Sequence, residues 1–327
     1  MRKLQVKFLV GFLTVLGLCC GGMYLLHRVQ MRRHASSLLD RARTAEAGGN
    51  LTRAEESLSL YLGLKRNDSA AWAWYARLTD ERIKDKRGRE RVFLVNEEAL
   101  RTNPDDRLLE LRCAKLAIEL ERHNDARRHL IHLNEAIQAE PEKGAEAAEL
   151  EDLLGQCDQP ESKFDEAEQH YRKSIALDRT RVVTFDRLGR LLRQDRKNPE
   201  AADRAIEEML KANPKSALAH VNRWRYRREF GPAADGSDIA QALKLGPDEA
   251  EVLIAAADLA RQNKDLAGAR KQIEHGLDRH PDSAGFHLMA ADLDLAENHA
   301  DRAEAMLRRD ELIPREIFRT GDRKSVV

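Results

Sequence analysis

Three side chains able to bind a metal recur at short spacing in one segment: His129, His132 and Glu135. On a helix, positions three apart lie on adjacent turns, so these groups fall near one side. A metal site also needs a fourth ligand and hydrogen-bonded partners behind the ligands, and the sequence identifies neither. We therefore interpret the three residues as exposed or packing side chains, and we predict no metal and no cofactor.

The segment 223–228, RWRYRR, alternates basic and aromatic residues. Surfaces that bind nucleic acid combine these types, because bases stack on aromatic rings. The chain has no excess positive charge, however, since 56 Lys and Arg residues balance 56 Asp and Glu residues. A helix with packed aromatic and solvated arginine side chains explains the segment better, so we predict no nucleic-acid partner.

Motifs that mark catalytic or phosphate-binding sites are missing: the sequence contains no GxxxxGK(S/T), GxGxxG, HExxH or GxSxG. Acidic pairs such as Asp80 and Glu81 belong to charged helix surfaces, without a pocket that would shift a pKa. Cysteines at 19, 20, 113 and 157 form no CxxC pair, and we expect free thiols. We predict that the chain is not an enzyme and takes no small-molecule substrate.

The elements that carry these residues are helical by composition. Charged residues make up 34% of the chain and aromatic residues 5%. Runs rich in Val, Ile, Thr and Tyr, from which sheets are built, are few. The composition therefore predicts an all-α fold.

The N-terminal region contains an uncharged apolar run from Phe8 to Leu26. At about 1.5 Å per residue this run just crosses a hydrocarbon core of roughly 30 Å. We predict a tail at 1–7, a transmembrane helix at 8–27 and a basic juxtamembrane linker at 28–34. A cleaved signal peptide is the alternative, but the run is not followed by a small-x-small cleavage site. Basic residues flank both ends, so the side on which the following region lies stays open.

An internal repeat is clearest from Ala250 to Ser283, 34 residues that form two amphipathic helices. Ala257 stands at position 8 and Ala269 at position 20. The next unit places Ala291 and Ala303 at the same two positions. Small side chains there let the two helices of a pair approach closely, while larger apolar residues at positions 4, 7, 11, 24 and 27 fill the space between them. The pattern resembles the tetratricopeptide repeat family, whose period it shares.

The same frame divides residues 35–317 into eight units: 35–68, 69–106, 107–147, 148–181, 182–216, 217–249, 250–283 and 284–317. Three units depart from it. The 69–106 unit has about four extra residues, which we place in its inter-helix loop, and the 182–216 unit has one inserted residue. In the 217–249 unit Trp224 occupies the small position 8, and we expect a distorted pair, a hinge or a seam there.

The resemblance implies a right-handed superhelical α–α solenoid that binds proteins or peptides. In this family, positions 2, 5, 9 and 12 of each first helix face the groove. Carried onto this sequence, the basic residues at positions 9 and 12 give a predicted groove surface: Arg77, Lys115, Arg190, Arg193, Arg225, Arg228 and Arg261. The groove turns acidic towards its end, where position 9 holds Asp258 and Asp292. A basic groove favours acidic partner segments. The alternative is that these side chains are simply solvated charge.

Two functions follow from these expectations. The first is a membrane-anchored scaffold or adaptor that binds partner proteins. The second is the anchor and adaptor part of a larger enzyme or secretion and assembly component. Residues 322–327 do not continue the helix pattern and match the translation of a common sequencing-adapter stretch, so we expect a truncated, non-native tail at 318–327 and a native chain that continues.

Overall fold

A computed structural model gives the structure of the chain and describes residues 6–138, 144–231 and 235–309. These residues form sixteen α-helices and no strand, as the composition predicts. The helices are α1 (Val6–Ala47), α2 (Leu51–Leu64), α3 (Ser69–Arg82), α4 (Lys86–Thr102), α5 (Arg107–Glu119), α6 (His123–Gln138), α7 (Gly144–Asp158), α8 (Phe164–Leu177), α9 (Val182–Arg190), α10 (Pro199–Ala212), α11 (Ala217–Phe230), α12 (Ser237–Leu245), α13 (Ala250–Gln262), α14 (Leu266–Arg279), α15 (Ala284–Ala296) and α16 (Ala300–Arg309).

Consecutive helices pack as hairpins, α1 with α2 through α15 with α16, and among the described residues six of the turns inside these pairs share one feature. Each of the six contains a residue with positive φ: Gly49, Glu121, Ser162, Lys197, Lys264 and Asn298. A left-handed residue ends a helix by turning the next backbone N–H back onto its last carbonyls. In the α13–α14 turn, for example, the Asp265 N–H donates to the Ala260 carbonyl at 2.9 Å.

Short polar side chains begin several helices, both within the pairs and between them. Asp68, Asp106 and Asp265 each accept a hydrogen bond from the backbone N–H three residues on, at the start of α3, α5 and α14. This bond satisfies one of the donors that the first helical turn leaves free. Local sequence therefore fixes where many of the helices begin.

The predicted close-approach positions lie in the core. Ala257 and Ala269 are fully buried, and Ala291 and Ala303 are 2% and 1% exposed, which confirms the prediction. Gly155 shows why small residues are needed: a Cβ there would lie 2.5 Å from Cε1 of the Tyr171 ring. Such a distance is far inside van der Waals contact, so the helix pair can close only around glycine.

Two of the irregular units place their extra residues inside helices. The insertion in the 182–216 unit forms a π-helical turn, Leu191–Asp195, in which the Arg196 N–H donates to the Leu191 carbonyl at 3.0 Å. Leu191 and Leu192 are buried, so the wider turn keeps the flanking core contacts. In the 69–106 unit our placement of the extra residues was wrong: only residues 83–85 separate α3 from α4, and α4 is lengthened to 17 residues.

The 217–249 unit retains a helix pair although Trp224 fills its small position. The Trp224 side chain is fully buried. It packs in a cluster with small side chains, among them Ala242, Ala255 and Ala256. The second helix, α12, has only 9 residues. The volume of the indole is thus accommodated by alanines on neighbouring helices and by the short partner helix α12.

Helix α1 runs without a break through the predicted transmembrane segment, the 28–34 linker and the first repeat helix. Its described side chains between residues 12 and 24 are exposed, with Phe12 at 66% and Met23 at 72%, whereas Ala35, Leu38 and Ala42 on one face further along the helix are buried. Within the described residues, Phe12–Ala47 is the one helical stretch long enough to cross a membrane that contains a sufficiently apolar 18-residue window, with a mean hydropathy of 1.5 in that window. The tail residues 1–5 and the predicted tail 318–327 lie outside the described residues.

The chain divides into two compact units. The first comprises residues 1–143 and 156–161, and the second comprises residues 144–155 and 162–327. Each candidate site described below lies within one of these units.

Candidate functional site

The predicted groove residues of the first unit lie on α3 and α5. Arg77 pairs with Glu46 of α1 at 2.5 Å and approaches Glu81 of its own helix at 3.5 Å. Lys115 is half-buried on α5. At this end of the chain the predicted surface is therefore already engaged with neighbouring helices.

In the second unit, Arg190 at the end of α9 and Arg193 in the π-helical turn that follows it reach across to α11. Arg190 Nη1 lies 2.6 Å from a Glu229 carboxylate oxygen, and Arg190 Nε lies 3.1 Å from Asp186. Burial lowers the pKa of Arg190, but these two carboxylates outweigh it and raise the pKa above its usual value. Arg193 donates to the Phe230 carbonyl at 2.7 Å and lies over the Phe230 ring, 5.6 Å from its centroid.

The next pair of arginines on α11 repeats this arrangement towards α13. Arg225 lies 2.7 Å from Glu251, and Arg228 lies 3.6 Å from Asp258. Arg228 also stacks over the Trp224 ring, 4.6 Å from the centroid. Arg261 follows on α13 and is exposed.

We call these residues of consecutive first helices, Arg190, Arg193, Arg225, Arg228 and Arg261, the arginine face. Three of them bind a carboxylate on the following first helix, so part of their charge is balanced inside the chain. Partly exposed pairs of this kind contribute roughly 0–1 kcal/mol each. The arginine face therefore links neighbouring helix pairs and also presents guanidinium groups to solvent.

A second group of polar side chains lies inside the first unit, and we call it the α4–α6 cluster: Glu97, Glu110, Cys113, His129 and His132. His129 Nε2 lies 2.5 Å from Glu97 Oε1, and His129 Nδ1 lies 3.6 Å from Glu110 Oε1. His132 Nδ1 lies 2.8 Å from Glu110. Cys113 is fully buried, His129 is 5% exposed and Glu110 is 6% exposed.

Charge and burial act together on the titratable groups of the α4–α6 cluster. Burial raises the pKa of Cys113 to about 12, with further contributions from the negative charges of Glu97 and Glu110. The hydrogen bond from His129 lowers the pKa of Glu97. The hydrogen bond to Glu110 raises the pKa of His132. The Cys113 thiol is therefore neutral, mainly because it is buried.

Sequence reasoning singled out His129 and His132 but grouped them with the wrong partner. Glu135 is exposed, whereas Glu97, Glu110 and Cys113 come from two other helices. The repeat frame could have identified Glu110 and Cys113, because they stand at positions 4 and 7 of their unit. Larger apolar residues are expected at these two positions. The same positions in the 182–216 unit hold the buried Phe185 and Leu188.

One other group of side chains converges in the second unit. Asp294, Glu297 and His299 lie close enough together to hold a cation. Arg270 Nη2 already binds both carboxylates, at 2.7 Å from Asp294 and 2.6 Å from Glu297. The guanidinium therefore supplies the positive charge that this group needs.

No known protein-family profile and no curated protein matches the chain. Among solved structures, it is similar to a tetratricopeptide repeat protein from Parabacteroides merdae, with 15% identity over 88% of this chain and 97% of that one and a TM-score of 0.44. Yeast Tom70 shows 14% identity over 86% and 78% of the two chains, with a TM-score of 0.47. YrrB, described as a tetratricopeptide protein with an unusual peptide-binding site, shows 17% identity over 59% and 94%, with a TM-score of 0.45. Likeness at this level concerns the fold and carries no function over.

Proposed function

We propose that the chain is a membrane-anchored scaffold that binds partner proteins along its helix pairs. The observation that carries this proposal is the change in burial along α1. The apolar side chains between residues 12 and 24 that the structure describes are exposed, and the same helix enters the core of the first pair at Ala35 and Leu38. Exposed apolar surface of this extent needs a hydrophobic environment, and a continuous helix would hold the repeats close to it.

Cell fractionation tests the anchor. The full chain is expected in the membrane pellet after an alkaline wash and in the supernatant after detergent. Leu16→Arg places a charge near the middle of the span, which costs about 2.5–3.5 kcal/mol at a helix centre, and should release much of the protein. Leu60→Arg, at an exposed leucine of α2, is the matched control and should leave it in the pellet.

Recovery of the wild-type chain in the soluble fraction before detergent would contradict the anchor. Protease digestion of intact vesicles then assigns the side of the membrane. Cleavage without detergent places the repeats outside the vesicle, and protection places them inside.

The arginine face is the proposed partner-binding surface, with acidic segments as the ligands. Its guanidinium groups lie on successive first helices, and their pairing with carboxylates of the chain itself supports anionic ligands. A partner carboxylate would exchange with these in-chain carboxylates through charge-assisted hydrogen bonds.

Charge reversal tests this surface. Arg190→Glu combined with Arg225→Glu is expected to remove the proteins that crosslink to the wild-type chain in membranes. Arg101→Glu is the control, because Arg101 is exposed on α4 and pairs with Glu98 of its own helix. If a folded double variant crosslinks to the same partners as the wild type, the arginine face is not the partner-binding surface. This result would not bear on the membrane anchor.

A further inference from the structure

The α4–α6 cluster brings together donors of three chemical kinds, and two of them, Glu110 and Cys113, stand at positions where the repeat frame predicts apolar side chains. A thiol, an imidazole and carboxylates come from three helices, and most of them are withdrawn from water. Burying polar and ionisable groups costs free energy unless something satisfies them. Packing by itself gives no reason for this combination.

The donor atoms lie close enough together to share one ion. Cys113 Sγ, a carboxylate oxygen of Glu97 and a ring nitrogen of His129 are all within 4.8 Å of one another. With bonds of about 2.0–2.3 Å, tetrahedral zinc holds its ligand atoms roughly 3.3–3.8 Å apart. Small side-chain shifts would therefore bring the three atoms onto a common centre.

The surroundings of His129 match those of a metal-binding imidazole. Its Nε2 faces Glu97, and its Nδ1 points to the Glu110 carboxylate at 3.6 Å. Glu110 is in turn held by His132 at 2.8 Å. Histidine ligands are commonly oriented by a carboxylate on the ring nitrogen away from the metal, and that partner fixes the tautomer.

The electrostatics favour a cation as well. Glu97 and Glu110 place two carboxylates beside His129, 2.5 Å and 3.6 Å from its ring nitrogens. Arg128 lies 3.6 Å from Glu97 but is largely exposed at 61%. A divalent ion would bind Cys113 as the thiolate, because a coordinated thiol is deprotonated.

We propose that the α4–α6 cluster binds one divalent metal ion of zinc type. Cys113 thiolate, His129 Nε2 and a Glu97 oxygen are the ligands, and the fourth position is taken by water. Glu110 is a positioning residue that orients His129. On binding, the thiol proton of Cys113 and the proton shared between His129 Nε2 and Glu97 pass to solvent. The ion ties α4, α5 and α6 together, and its affinity rises with pH because the thiol must lose a proton.

Cobalt spectroscopy on the full chain in detergent, first stripped with a chelator, tests the site. Titration with Co²⁺ is expected to give a thiolate-to-cobalt charge-transfer band that saturates at about one equivalent and is bleached by Zn²⁺. Cys113→Ser should abolish the band and weaken Zn²⁺ binding at least about 100-fold, and Glu110→Gln should weaken it about 10–100-fold. Cys157→Ser is the matched control, since Cys157 is also a fully buried free thiol on another helix.

The wild-type titration alone is decisive if a variant fails to fold by circular dichroism. No charge-transfer band in the wild-type chain overturns the proposal. Binding that survives in folded Cys113→Ser but disappears in His132→Gln also overturns it, because it assigns the metal to an exposed histidine. Loss of the band in Cys157→Ser with retention in Cys113→Ser does the same.

Discussion

At the scale of single residues, Asp80 shows how one carboxylate joins three helices. It belongs to α3, and its Oδ1 lies 2.7 Å from Arg89 of α4 and 2.6 Å from Arg112 of α5. Burial by itself raises the pKa of Asp80, but the hydrogen bonds and charges of Arg112 and Arg89 outweigh it. The pKa therefore lies below the ordinary value of 3.8, so the expectation from the sequence that nothing shifts the pKa of this carboxylate was wrong.

Asp80→Asn is expected to lower the free energy of unfolding by about 1–2 kcal/mol at pH 7, because two arginines lose a charged partner. A carboxylate whose pKa is depressed by folding stabilises the native state above its unfolded pKa. That contribution is lost as pH falls through the lower folded pKa. The difference in the free energy of unfolding between wild type and variant should thus narrow below about pH 4. Urea unfolding at pH 7 and below pH 4 measures this difference.

Glu98→Gln is the control for Asp80→Asn, since Glu98 pairs with Arg101 within one exposed helical turn. Its effect at pH 7 should stay below about 1 kcal/mol. A Glu98 variant as destabilised as the Asp80 variant would refute a special role for the buried bridge between helices.

At the scale of elements, a left-handed residue in a turn inside a helix pair costs conformational free energy. Lys264 has φ of 58° between α13 and α14. A side chain in the left-handed region costs roughly 1–2 kcal/mol, which glycine avoids. The turn forms nevertheless because its left-handed residue lets the Asp265 N–H reach the Ala260 carbonyl.

Lys264→Gly is therefore expected to raise the free energy of unfolding by about 0.5–1 kcal/mol, after the greater flexibility of glycine in the unfolded chain is included. Thermal unfolding followed by circular dichroism is the measurement. Lys271→Gly, at an exposed position inside α14, is the matched control and should cost about 1 kcal/mol. Equal destabilisation by both substitutions would show that the turn does not need its left-handed residue.

At the scale of the whole molecule, helix pairs that contact mainly their sequence neighbours should not unfold as one body. In such arrays stability is a sum of local terms and nearest-neighbour terms. A destabilising substitution in one pair should then lower the stability of that pair and of its neighbours, and the effect should decrease with distance along the chain.

Ala269→Leu tests this independence, because the side chain is fully buried at a close-approach position of α14. Overpacking typically costs 1–3 kcal/mol. Hydrogen exchange followed by mass spectrometry should show amide exchange about tenfold faster, or more, in α13 and α14. Exchange in α3 to α6 should stay unchanged. A uniform rise along the chain would contradict the local account.

The sequence by itself determined the helix pairs, because each needs only information within about three dozen residues. Helical periodicity and small residues such as Ala257 and Ala269 specify a close-packed hairpin before any distant contact forms. The same frame detected the extra residue near Gly189. It could not show whether that residue enters a loop or a π-helical turn, since the burial of Leu191 and Leu192 decides this.

Only the tertiary structure decided which polar groups meet. Arg190 lies beside Glu229, and His129 beside Glu97 and Cys113, although these partners stand 16 to 39 residues apart in the sequence. Their meeting depends on how one helix rotates against the next and on the rotamer of each long side chain. The composition of a single helix determines neither this rotation nor these rotamers, because both follow from packing between helices.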